Sequence, residues 1–281
     1  MTNTEDGAAA LRSQGFVRLP GLVPQAAVPE MRRLADVALA RPRHACAARP
    51  GNTLIGLDRT DALVPRLLCA PGLVARVRAA TAAPDLRWIS GYVSVKPAMS
   101  PPLAWHQDWW CWDHPASFSR RAPQVAVLIY LSDADVSTGA LRVVPASHRG
   151  DHPVHRRLVD VHAPAVARDR AAADDVPGEV TLAGVAGDAV LFDYRLVHGG
   201  RPNGAAHDRL ALLVSFTPDW RGLRADLRAH LIRHPAQNGR SPLPGDPSGL
   251  ADLLPRFDGA PRDLTLNRRP PWPFKVKKET A

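Results

Sequence analysis

Residues 87–108 read RWISGYVSVKPAMSPPLAWHQD. The first ten alternate in character and are rich in β-branched and aromatic residues, the pattern of a strand. A proline-rich turn follows, then a segment ending Trp105-His106-Gln107-Asp108. Working outward, residues 124–131 (QVAVLIYL) form a nearly continuous apolar run of strand length. Shorter candidate strands follow at 140–144, 179–182, 188–192 and 209–216, with Gly, Pro, Asn and Asp in the gaps. Upstream the chain changes period. Residues 8–14 read as a short amphipathic turn and 15–20 as a strand stopped by Pro20. Residues 23–40 read as a helix carrying Val28, Met31, Leu34, Ala35 and Ala38. Residues 41–60 look like a loop, and 64–83 like another helix. Helices first and short strands afterwards predict helices packed outside a sheet sandwich or barrel. Residues 235–271, rich in Pro, Gly and Arg, read as a covering loop or a loose tail. No internal repeat and no clear boundary divides the chain.

Composition is that of an ordinary globular protein: 281 residues, 45% hydrophobic and 22% charged. The net charge of +9 could suit nucleic acid or an anionic membrane. The arginines are scattered, however, and the one dense basic run is residues 275–278 (KVKK), so no nucleic-acid partner is expected. An anionic substrate or cosubstrate stays compatible with that charge. Cys46, Cys69 and Cys111 show no CxxC spacing, and their odd number argues against a disulfide framework. The sequence opens MTNTED, without a basic or apolar leader, and no apolar run approaches the roughly 20 residues that span a bilayer. A cytoplasmic setting without a membrane partner is the expectation.

The chemistry concentrates at residues 105–112, WHQDWWCW. Residues two apart on an extended segment point to one side, so His106 and Asp108 can grip one ion together. His198, in VHGG after the strand at 188–192, is the best second histidine, with glycines that permit close approach. Two histidines and a carboxylate form the facial triad of iron(II) oxygenases, which leaves three coordination positions open. An HxD pair alone is common by chance, and the same donors serve zinc. His114, His148, His152 and His155 lie in polar, loop-like stretches and read as solvated or capping residues. Arg209, at the head of a core strand, strengthens the case. A guanidinium buried there needs an anionic partner, which is either a nearby aspartate or a carboxylate ligand.

The segment Gly91 to Asp108, the loop Thr138 to His148 (TGALRVVPASH), the stretch Gly187 to Arg209 and the opening GFVRLPGLV together resemble the phytanoyl-CoA dioxygenase family over most of residues 11–220. The resemblance implies a mainly β fold, with a double-stranded β-helix (jelly-roll, cupin-like) core and flanking N-terminal helices. It implies one domain: helical support over about 8–83, a core over about 87–220, and an extension at 221–281. It implies a dioxygenase using Fe(II), 2-oxoglutarate and O2. His106, Asp108 and His198 match the metal ligands and Arg209 the clamp on the 2-oxoglutarate carboxylate. Tyr92 and Leu128 match positions lining the cosubstrate pocket. Trp112 matches an aromatic set over the iron in some members. Ala146 replaces the glycine usual in the loop, and Gly200 replaces a serine found in some members. After residue 220 no family motif is present.

By that resemblance the reaction is oxidative decarboxylation of 2-oxoglutarate coupled to hydroxylation of a C–H bond, in relatives diverted to cyclisation, epimerisation or desaturation. Asp108 disfavours halogenation, because chloride binding needs the carboxylate's position. The cluster Trp105, Trp109, Trp110 and Trp112 reads as a site mouth for a ring-containing or partly apolar small molecule, with secondary metabolism as the setting. The alternative of another class is a non-catalytic or zinc-binding jelly-roll module.

Overall fold

The computed structural model describes residues 4–41, 46–49, 51–158, 173–237 and 250–276. In chain order the elements are α1 (Thr4–Gln14), β1 (Phe16–Leu19), α2 (Val28–Leu39), β2 (Cys46–Arg49), β3 (Asn52–Leu57), α3 (Leu63–Leu68), α4 (Leu73–Thr81) and β4 (Arg87–Lys96). There follow β5 (Leu103–His106), β6 (Val125–Tyr130), β7 (Leu141–Val143), β8 (Val180–Leu182), β9 (Ala189–Asp193), β10 (His198–Gly200), β11 (Arg209–Thr217) and α5 (Ala225–Leu231).

The strands form two antiparallel sheets. The larger runs β1-β9-β6-β11-β4-β3-β2 and the smaller β5-β10-β7-β8. β6 shows why its sequence is apolar without alternation. Val125, Val127 and Ile129 pack with Met31, Ala35, Leu67 and Val77 of the helices. Ala126, Leu128 and Tyr130 pack with Leu141, Val143 and Leu182 of the smaller sheet. A strand buried on both faces has no solvated side to make polar. Each such Val or Leu contributes about 1.5–3 kcal/mol of burial, which makes the seam between helices, large sheet and small sheet the backbone of the fold. The result is the expected jelly roll with its N-terminal helices laid on the outside of the large sheet.

Two expectations change and a third narrows to one of its alternatives. The stretch 41–60 is not a loop: β2 and β3 form a hairpin that extends the large sheet past β4, with Arg49 opposite Asn52. Gly51, just before β3, takes a φ of +72°. The helix read over 64–83 is two helices, because Pro71 cannot continue α3 and Gly72, at φ +80°, turns the chain into α4. Finally, residues 250–276 are a cover, not a loose tail. Leu253 O accepts from Trp88 N at 2.8 Å, Arg256 O accepts from Trp220 Nε1 at 2.9 Å, and Asn267 N donates to Trp110 O at 2.8 Å. Residues 277–278 of the basic run lie outside the described residues.

Ala146, where the family resemblance leads glycine to be expected, adopts φ +62°. Its N–H donates to Gln14 O at 2.9 Å, so docking against the end of α1 holds it there. A Cβ in the left-handed region costs about 1–2 kcal/mol, while glycine's extra freedom when unfolded returns about 0.4–1 kcal/mol of that. Ala146→Gly is therefore expected to stabilise the fold by up to about 1 kcal/mol, read from the urea midpoint at an unchanged denaturant slope.

Candidate metal centre and cosubstrate pocket

β10 pairs β5 so that His198 lies directly opposite His106. Their ring centroids are 4.1 Å apart. The His106 Nδ1–H donates to Ala104 O at 2.8 Å, and the His198 Nδ1–H donates to Leu196 O at 3.0 Å. Each ring is thereby held in the tautomer whose Nε2 carries a lone pair, the arrangement of metal-binding histidines. Asp108, two residues beyond β5, faces both: Oδ1 is 3.9 Å from His106 Nε2 and Oδ2 is 3.6 Å from His198 Nε2. One ligand atom from each residue lies within 4.8 Å of the others. Bonds of about 2.0–2.2 Å from one ion reach all three after small side-chain adjustment, so the donors fit a divalent metal.

The same pocket is lined by Arg209, Leu128, Ser94, Asn52, Lys96 and Gly200. Arg209 is 5% exposed. Its Nη2 donates to Gly139 O at 3.1 Å, while Nε and Nη1 have no partner. Among the described residues no carboxylate pairs with it, so the aspartate alternative finds no support. Two orphaned donors on a buried cation are costly unless a ligand carboxylate accepts them. Burial pushes the Arg209 pKa down, as expected of a cation short of acceptors.

Lys96 stands beside Arg209 across the β4–β11 pair. It is held by Gly51 O at 2.7 Å and Pro101 O at 2.6 Å. Gly139, at φ +83°, lies over it: a Cβ there would come within 2.6 Å of Lys96 Cδ. Burial first, then the charges of Arg209 and Arg142, brings the Lys96 pKa down to about 7. Alternation along β4 puts Lys96, Ser94 and Tyr92 on one face, but nothing in the sequence hints that the lysine is held in this way. Asn52 was missed because its strand was read as loop.

Other expected site residues separate. Leu128 lies in the pocket. Tyr92 does not: it lines an adjoining chamber and bonds His234 Nε2 at 3.0 Å. Trp112, wholly buried, packs on Phe274 (4.9 Å between centroids) and Phe118, not over the ligand cluster. The tryptophan cluster is not a site mouth either. Trp105 sits under the Arg142 guanidinium at 4.2 Å, and Trp109 Nε1 donates to Ser117 Oγ at 2.8 Å. Trp110 alone reaches the chamber that contains Asp108. Trp105, on β5, packs in a small core of its own, while Trp109, Trp110 and Trp112, on the irregular segment that follows, share a larger one. His114 and His152 cap short turns as expected, and His155 completes a capping box with His152. His114, His148 and His155 are buried rather than solvated.

A sequence model described as phytanoyl-CoA dioxygenase matches residues 11–211. The chain is 28% identical over 135 residues to a probable alpha-ketoglutarate-dependent hypophosphite dioxygenase of Stutzerimonas stutzeri, covering 47% of this chain and 45% of that one. It is 28% identical over 155 residues to the L-proline trans-4-hydroxylase of Streptomyces griseoviridis, covering 50% and 55%. The chain thus spans about half the length of the curated relatives it matches. Among solved structures it is similar to the non-heme alpha-ketoglutarate-dependent epimerase SnoN from nogalamycin biosynthesis, with TM-score 0.59, 23% identity, and 96% and 97% coverage. It is also similar to HygX from Streptomyces hygroscopicus with nickel and 2-oxoglutarate bound, with TM-score 0.60, 23% identity, and 77% and 88% coverage. No helix among the described residues is long and apolar enough to cross a membrane.

The Lys96 environment gives a pH signature. Its folded pKa, near 7, lies below the model-peptide value of 10.5. Between those values the unfolded chain binds more protons, so stability rises with pH across that window and falls as pH drops toward 7. The difference in unfolding free energy between wild type and Lys96→Met is expected to change by at most about 1.4 kcal/mol per pH unit there. Urea titrations at pH 7 and pH 9.5 check it; a constant difference would refute the shifted lysine.

Proposed function

The chain belongs to the phytanoyl-CoA dioxygenase family, and from that premise we propose that it is an Fe(II)- and 2-oxoglutarate-dependent dioxygenase that oxidises a C–H bond of a small molecule. Hydroxylation is the preferred outcome. Cyclisation, epimerisation and desaturation are variants of the same cofactor chemistry. In this reading residues 1–281 act as one catalytic unit, and secondary metabolism is its setting. The observation that carries it is Arg209: a buried guanidinium with two unpartnered donors, lining one pocket with His106, Asp108 and His198. A zinc-binding module would have no use for that cation.

His106, Asp108 and His198 would hold iron(II) from one face, and Arg209 would take the distal carboxylate of 2-oxoglutarate in its two open donors. The bound iron supplies oxidative decarboxylation of 2-oxoglutarate by O2, giving succinate and carbon dioxide, coupled to oxidation of the substrate. The chain's own part is orientation. Ala104 O and Leu196 O fix the imidazole tautomers, and Leu128, Leu213 and Phe192 give the pocket apolar walls that exclude water. Lys96 adds a second basic group beside Arg209. Asp108 occupies the position that a halide would need, which favours oxygenation over halogenation.

Anaerobic addition of iron(II) and 2-oxoglutarate should give a weak visible charge-transfer band, and admission of O2 should give succinate. Asp108→Ala should abolish both. Arg209→Ala should keep iron but raise the 2-oxoglutarate requirement about 10–100-fold, the loss of a charge-assisted pair. Full succinate formation by Asp108→Ala would refute the ligand set.

A further inference from the structure

The family match ends at residue 211, yet residues 230–235 and 263–268 help enclose a chamber of about 420 Å³ that contains Asp108. The chamber shares Asp108, Leu54 and Leu213 with the pocket of Arg209. Its size suits a drug-sized ligand. Two histidines four residues apart, His230 on α5 and His234 just past it, stand in its wall.

Both imidazoles are fixed by backbone donors. Ala236 N–H donates to His234 Nδ1 at 3.1 Å, and Leu264 N–H donates to His230 Nδ1 at 3.1 Å. A neutral ring that accepts at Nδ1 carries its hydrogen on Nε2. Burial brings His234 down to about 4, so that ring is neutral at physiological pH; burial also lowers His230, against the pull of Asp263, 3.6 Å from its Nδ1. His234 Nε2–H therefore donates to Tyr92 Oη, at 3.0 Å, and sets the phenol against the chamber. The His230 ring lies against Trp110, with centroids 4.4 Å apart and planes 32° from parallel. Trp110 is locked in turn, because Nε1–H donates to Gln124 Oε1 at 3.1 Å and Gln124 donates to Ser215 Oγ at 3.2 Å.

The remaining charges set the polarity. Arg268 and Arg233 line the chamber, and Asp263, beside them, lies 3.0 Å from Arg233 Nε and 3.6 Å from His230 Nδ1. The chamber thus offers N–H donors and a phenol beside a flat aromatic wall and keeps its outer carboxylate engaged. That is complementary to an acceptor-rich, flat ligand and unfavourable to a cationic amine.

We propose that His230 with Trp110 is the substrate-recognition wall, that His234 is a positioning residue for Tyr92, and that the substrate is a flat ring compound bearing carbonyl or hydroxyl oxygens. This rests on the oxygenase reading, through the shared Asp108. The test uses the metal-free full chain and 1,8-dihydroxyanthraquinone as probe, followed by quenching of tryptophan fluorescence. Wild type should bind it saturably, and His230→Leu and His234→Leu should each weaken binding at least tenfold. His234→Gln, whose amide still donates to Tyr92, should restore binding to within threefold, which a merely structural role would not do. The amine 2-deoxystreptamine should not compete. Failure of wild type to bind, equal binding by folded His230→Leu and His234→Leu, or competition by the amine would each overturn the proposal. The iron–2-oxoglutarate band, read on the same samples, separates the two readings. A band without probe binding overturns only the chamber assignment. Probe binding without a band supports the chamber and overturns the oxygenase.

Discussion

Everything in the site depends on one register, His198 opposite His106 across two very short strands. A slip of one residue would turn one imidazole to the other face of the sheet and destroy the cluster. Strands of three and four residues cannot hold such a register by their own ladder, so the surroundings hold it. Val144 N donates to Val197 O at 2.9 Å, and Val197 N donates to Ser147 Oγ at 2.9 Å, clamping the approach to β10. Just upstream, the fully buried Arg195 pairs with Asp193 at 2.6 Å and donates to Ser117 O and Ser119 O. Gln107, between the two ligands of the HxD pair, donates to Arg195 O. The loop carrying Asp108 and the strand carrying His198 are thus tied by the same arginine.

A second constraint divides labour along the chain. The central strands β6 and β9 of the large sheet are buried on both faces, and the residues Lys96, Ser94, Leu128 and Arg209 of the sheet make the floor on which a small dicarboxylate would sit. That floor lies within the segment matched by the family. The chamber wall from α5 and residues 263–268 lies beyond it. Sharing the floor while varying the wall is a physically simple way to keep one cosubstrate chemistry and change the molecule presented to it.

Legibility in the sequence followed the same division. His106 and Asp108 were readable because a strand's period of two is short and strict. The buried setting of Arg209 is legible because a cation at the head of an apolar strand has few explanations. His198 needed the pattern around it, since three residues of β10 carry no periodicity. β2 was invisible because Cys-Ala-Ala-Arg between prolines has no strand signature, and Asn52 was lost with that hairpin. The tryptophans mislead because their number suggests one surface, whereas Trp105 on β5 packs in a small separate core and Trp109, Trp110 and Trp112 are buried together in a larger one. His230 and His234 look like any pair on an amphipathic helix; only the His230 bond to distant Leu264 N and the His234 bond to Tyr92 Oη reveal a role. The Asp193–Arg195 pair lies two residues apart, yet its worth comes from partners 76 and 78 residues away.

The central claim is that three ligand atoms and one buried guanidinium form a single iron and 2-oxoglutarate site. Its most direct test is a crystal structure grown anaerobically with iron(II) and 2-oxoglutarate, with anomalous scattering recorded at the iron edge. The account predicts one iron peak bonded to His106 Nε2, Asp108 and His198 Nε2, with the distal carboxylate of 2-oxoglutarate on Nε and Nη1 of Arg209. Iron bound at other residues, or an Arg209 that leaves those two donors empty while 2-oxoglutarate binds elsewhere, would contradict it.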